Sequence, residues 1–125
     1  MARKDTLNYP IPEFSASNLS ADVDNFLNPT EVNLMDNVGV TLGWTGTPVG
    51  TFEVYVSNSP KPKNQLVAAD FTQLDFGTPI TIDNTESQHL ISINQIPFKW
   101  IAYKYVFSSG NGGMSVIMNN KQVGG

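Results

Sequence analysis

Cysteine is absent from this chain, histidine occurs once, and charge is scarce. Without cysteine there is no disulfide, no thiolate nucleophile and no cysteine-based zinc site, so stability must come from packing or assembly. With His89 as the only imidazole, a Ser-His-Asp relay would need a nucleophile that no G-x-S-x-G elbow supplies. Charged residues make up 14% of the 125, against about 25% in an ordinary globular chain. The formal net charge is -4, and the basic residues are scattered, Lys61-Pro62-Lys63 being the nearest thing to a patch. That balance excludes a nucleic-acid groove, whose affinity needs clustered Lys and Arg. No apolar run approaches the roughly 18 residues of a membrane span. Met1–Asp5 also lacks the apolar stretch of a secretion signal, so the expectation is folding in a cytosol with no membrane partner.

What the chain does contain is apolar and neutral-polar sequence on a period of two. Val38, Val40, Leu42 and Trp44 alternate with Gly39, Thr41 and Gly43. Phe52, Val54 and Val56 alternate with Thr51, Glu53 and Tyr55. Each set reads as a strand with one buried face. Further strands are expected at Glu31–Met35, Leu74–Phe76, Ile80–Ile82 and Gln88–Ile93, separated by turns rich in Gly, Pro, Asn and Ser. Leu66–Ala69 reads as a turn of helix or part of a crossover. The last quarter reads as a β-hairpin, Trp100–Phe107 and Met114–Met118 joined through Ser108-Ser109-Gly110-Asn111-Gly112-Gly113.

The fold class expected is all-β: a single antiparallel β-sandwich, jelly-roll or discoidin-like, of about eight strands over residues 30–125. Residues 1–29 differ from the rest and are expected to form an extended N-terminal arm. Tyr9-Pro10-Ile11-Pro12 favours an extended path, and Ser20–Leu27 could make one helical turn with Ser20 as its N-cap. Such an arm lies either across its own domain or on a partner.

Candidates for chemistry are few. Asp22-Val23-Asp24 begins like a calcium loop, but Phe26 and Leu27 stand where that loop needs an oxygen ligand and a glycine. Asp70, Asp75, Asp83 and Glu86 lie in or beside turns, where carboxylates ordinarily shape the turn. Gly110-Asn111-Gly112-Gly113 lacks the Lys-Ser/Thr of a phosphate loop. His89 shares the parity of Ile91 and Ile93 and is expected on their face. The expectation is therefore no enzyme, no metal and no cofactor.

Binding is the remaining role. The strand from Trp100 to Phe107 is largely apolar on both faces: Ile101, Tyr103, Tyr105 and Phe107 on one, Trp100, Ala102, Lys104 and Val106 on the other. One sandwich core can cover only one of them. Candidate assembly contacts are therefore Phe14, Leu19, Phe26 and Leu27 of the arm, with Trp100 and Val106. Exposed aromatics could instead stack on sugars, for which Trp44, Tyr55 and Trp100 are the candidates.

Three stretches carry a resemblance: Trp44-Thr45-Gly46-Thr47-Pro48-Val49-Gly50-Thr51-Phe52-Glu53-Val54-Tyr55-Val56-Ser57-Asn58, then Gln95-Ile96-Pro97-Phe98-Lys99-Trp100-Ile101-Ala102-Tyr103-Lys104-Tyr105, then Ser109-Gly110-Asn111-Gly112-Gly113-Met114-Ser115-Val116 with Lys121. This pattern resembles small β-sandwich structural proteins of bacteriophage virions. The resemblance implies a capsid decoration or cement protein, or a tail or spike component, located in the virion. Its partners would be further copies of itself, the major capsid protein or other virion proteins. The same strand pair is similar to discoidin-like sandwiches, including carbohydrate-binding modules, though the disulfide of many of those is missing. That second likeness implies a glycan-binding module as the alternative. Neither likeness brings catalytic residues.

Overall fold

The computed structural model of the chain describes residues 6–32, 37–83, 87–94 and 98–123, with the backbone path alone for 6–14, 94 and 120–123. Among the described residues, all regular structure beyond two short 3₁₀ turns is strand, and no helix is long and apolar enough to cross a membrane. The strands are β1 (Thr6–Ala16), β2 (Val23–Asp24), β3 (Thr30–Glu31), β4 (Asn37–Gly46), β5 (Val49–Ser57), β6 (Thr72–Gln73), β7 (Ile80–Ile82), β8 (Gln88–Asn94), β9 (Trp100–Ser109) and β10 (Gly112–Val123).

They form two antiparallel sheets. The first runs β1-β10-β4-β8, and the second runs β2-β9-β5-β6, with β3 also on β9 and β7 also on β5. The architecture is the expected all-β sandwich. The strands beyond the expected eight are β1 and β2, both in the segment expected to be an extended arm.

Alternation explains the core. Val38, Val40, Leu42 and Trp44 of β4 are buried, with Met114, Val116 and Met118 of β10 and Ile91 and Ile93 of β8 beside them. Facing them are Phe52 and Val54 of β5, Ile80 and Ile82 of β7, and Ile101, Tyr103 and Tyr105 of β9. Phe52 stacks on Tyr103 at 5.7 Å between ring centroids. The Tyr103 hydroxyl donates across the sandwich to Met118 Sδ at 3.8 Å. Each fully buried side chain of this size contributes about 1.5–3 kcal/mol of transfer free energy.

Three sequence expectations need correction. First, β9 and β10 do not form a hairpin: β9 pairs with β5, while β10 pairs with β1 and β4 in the opposite sheet. Ser109–Gly112 is therefore an arch that crosses from one sheet to the other. A second crossing, Gly46–Val49 between β4 and β5, packs against it, and Thr47 N donates to Asn111 O at 2.9 Å. The glycines serve that contact rather than a tight turn. Gly46 and Gly110 have φ of 82° and 78°, and a Cβ on Gly110 would overlap Thr47 O.

Second, Ser20–Leu27 is not helical. Val23 and Asp24 pair with Tyr105 and Lys104 of β9, which takes their backbone out of any helical turn. Third, Leu74–Phe76 is not a strand. Pairing with β5 falls at Thr72–Gln73, and Leu74 N adds one bond to Val54 O at 2.8 Å. The turn of helix expected at Leu66–Ala69 is present as a 3₁₀ turn at Ala68–Asp70, with another at Lys63–Gln65 and Leu66 in the link between them. Of the strand expected at Glu31–Met35, Thr30–Glu31 is seen as β3 and residues 33–36 lie outside the described residues.

The described part of this segment, residues 6–29, lies on its own domain. Thr6–Ala16 is the edge strand of the first sheet along β10, with a bulge between Pro12 and Phe14. Leu19 is fully buried in the central core, its N–H donating to Gly112 O at 2.7 Å.

Candidate functional site

The second face of β9 is covered by the chain itself at Trp100 and Ala102. Trp100 and Ala102 pack with Phe26, Leu66 and Phe71, and Tyr55 of β5 closes the side of this cluster. Phe26 meets Tyr55 edge-on at 5.0 Å and Phe71 at 5.5 Å. Lys99 Nζ lies 5.6 Å from the Trp100 ring, within cation–π range. Three stretches far apart in sequence thus supply one small cluster on the outside of the second sheet.

Short polar contacts hold the covering loops. Asp70 accepts from Val67 N at 2.9 Å and from Lys61 Nζ at 3.0 and 3.1 Å. The Val67 N–H and then the Lys61 ammonium hold the Asp70 carboxyl below the usual carboxylate range. Asp24 accepts from Phe26 N, Asn25 Oδ1 from Tyr103 N at 2.7 Å, and Asp22 from Phe107 N at 2.8 Å. The Tyr55 hydroxyl donates to Glu53 at 2.7 Å. Burial, then Glu53, pushes this phenol up to about 12. Burial and the Asp22 charge push the Tyr105 phenol up as well.

These placements redistribute the sequence candidates. Leu19, Phe26 and Trp100 are inside the chain's own clusters, so their apolar surface is already spent intramolecularly. Val106 is half-buried, and Leu27 is 86% exposed. The side chain of Phe14 lies outside the described residues. Of the sugar-stacking candidates, Trp44 and Trp100 are each 5% exposed, and Trp44 Nε1 donates to Asp83 O at 3.0 Å. Neither indole offers a free ring face, and Tyr55 is half-buried against Phe26.

His89 is half-buried on the side of β8 that carries Ile91 and Ile93. Asp75 accepts from Gly77 N at 2.7 Å, a turn-forming role like that of Asp70. Among the described residues no three His, Asp or Glu side chains come together as metal ligands. The site this structure offers is a surface rather than a cleft.

That surface is the outer face of the first sheet, which the sequence could not display because three distant strands build it. The register lays out three rows across β10, β4 and β8: Asn119, Gly39 and Ser92; Ile117, Thr41 and Leu90; Ser115, Gly43 and Gln88. None of the nine positions is charged. Leu90 and Ile117, 67% and 39% exposed, stand in the middle row above a floor of Gly, Ser and Thr. The alternation of Gly39, Thr41 and Gly43 was the one signal of it in the sequence. A scan against protein-family models matches none, and a search of curated proteins returns no significant relative.

Proposed function

We propose that the chain is a non-enzymatic structural protein of a bacteriophage virion, a capsid decoration or tail component that works through protein–protein contacts. The observation that carries this reading is the patch of nine uncharged positions on the outer face of the first sheet, bordered by the row of Lys121, Asn37 and Asn94. A flat floor of Gly, Ser and Thr lets a partner backbone approach closely. Its neutral groups cost less to desolvate than charges would, and Leu90 and Ile117 add apolar area at the centre. The low charge of the whole chain and the likeness of its strand pattern to small virion sandwiches support the same reading. The glycan-binding alternative loses its main support, because both tryptophans are occupied inside the fold.

The test is protein mass spectrometry on purified particles produced from a genome carrying this gene. The reading expects the chain in fixed stoichiometry with the capsid or tail proteins. It also expects Leu90→Asp combined with Ile117→Asp to yield particles that lack it. Its absence from particles made with the unaltered chain would contradict the reading.

A further inference from the structure

A sheet edge is a row of unpaired donors and acceptors, and proteins that stay monomeric blunt it. Three of the four edges here are blunted. Along the first sheet, β1 contains Pro10 and Pro12, which lack N–H groups, and a bulge. On the second sheet, the outer side of β9 carries only the two-residue strands β2 and β3, and the side chains of Asp22 and Asn25 take the N–H groups of Phe107 and Tyr103. The outer side of β5 carries only the short β6 and β7.

The fourth edge, β8, has none of these devices. Gln88-His89-Leu90-Ile91-Ser92-Ile93-Asn94 contains no proline and no acidic or basic residue beyond His89, and its register with β4 is unbroken. Trp44 N donates to Ser87 O at 3.0 Å, which fixes the phase of the ladder. Because antiparallel pairs alternate, the backbone groups of His89, Ile91 and Ile93 point to β4, and those of Gln88, Leu90 and Ser92 point away. No described strand lies on that side.

We propose that β8 is a self-association edge, pairing antiparallel with β8 of a second copy about a two-fold axis at Leu90. The occupant follows from the self-complementarity of the strand. With Leu90 opposite Leu90, Gln88 falls opposite Ser92 in both directions, so the three outward-pointing residues of each copy pair completely. That arrangement makes about six inter-copy hydrogen bonds. It sets Leu against Leu and amide against hydroxyl on the outer face, both favourable cross-strand pairs. Each copy carries a net charge of -4, yet no carboxylate lies on the strand, so the pairing places no like charges opposite each other. A groove of about 400 Å³ lined by Phe76, Pro79, Asp83, Leu90 and Ser92 opens beside the same edge. The proposal deepens the assembly reading and takes its purpose from it. The two fail separately, since a dimer can form in a chain that no particle carries.

The register gives a specific test, helped by the absence of native cysteine. Opposed residues of a hydrogen-bonded pair have Cα atoms about 5.5 Å apart, within disulfide reach. Residues 92 of the two copies would be offset by about 13 Å along the strands. Sedimentation of the unaltered chain should give a dimer at twice the 13.7 kDa chain mass. Mild oxidation should then convert the Leu90→Cys protein to a covalent dimer while Ser92→Cys stays uncrosslinked, and Leu90→Lys should sediment as a folded monomer. A monomeric unaltered chain, or equal crosslinking at 90 and 92, would overturn the proposal.

Discussion

Two apolar clusters sit back to back on β9, and they are built in opposite ways. The central one draws nearly all its side chains from regular strands of both sheets, so each is held by ladders as well as by packing. The outer one has five buried members, of which Phe26, Leu66 and Phe71 come from irregular segments. Those segments are anchored by a few contacts such as Asp70 with Lys61 and Val67. The difference teaches that β9 is largely apolar on both faces for two separate reasons. One face defines the fold, and the other fastens the loops that lie over the second sheet.

Truncations should separate the two. Phe52→Ala removes a side chain stacked on Tyr103 in the central cluster. It should cost about 3–5 kcal/mol of global stability in denaturant titration. Phe26→Ala should cost less, about 2 kcal/mol, because a cluster open to solvent at its rim can collapse around the cavity. Its signature should be local: amide exchange should accelerate in residues 20–29 and 60–71 and stay slow in β4, β9 and β10. Equal effects of the two truncations on all amides would mean that the clusters are one cooperative unit.

Much of this was legible in the sequence, and what was hidden has a common cause. The alternation in β4 and β5 was readable because each strand buries one face, and the two-sided β9 announced that something must cover it. What covers it was not readable, since Phe26, Leu66 and Phe71 sit in turns without periodicity and are brought together only by the fold. The link from β9 to β10 differs from the expected hairpin for a related reason. An arch and a hairpin share the same local residues, strand-formers flanking Gly and Asn, and differ only in which strands lie alongside. The outer face of the first sheet, with Leu90 and Ile117 in one row, exists only once the register of three distant strands is known.

The smallest effect expected is a pH dependence at the rim of the outer cluster. Tyr55, pushed up to about 12, holds its proton in the folded chain, whereas in the unfolded chain it titrates near 10. The folded state therefore binds more protons between those values, and stability should fall as pH rises from about 10 to 12. Tyr55→Phe should flatten part of that decline in thermal melts. Tyr105, also raised, should keep the remainder. An unchanged slope in the variant would mean that Tyr55 does not contribute.

The central claim is that the chain covers the second face of β9 at Trp100 and Ala102 by itself. Trp100 reports on it directly, and Trp44→Phe leaves Trp100 as the only indole. Acrylamide quenching of that variant should be weak, and equally weak from micromolar to nanomolar protein. Quenching that rises on dilution would show that the cover comes from another molecule and would contradict the account.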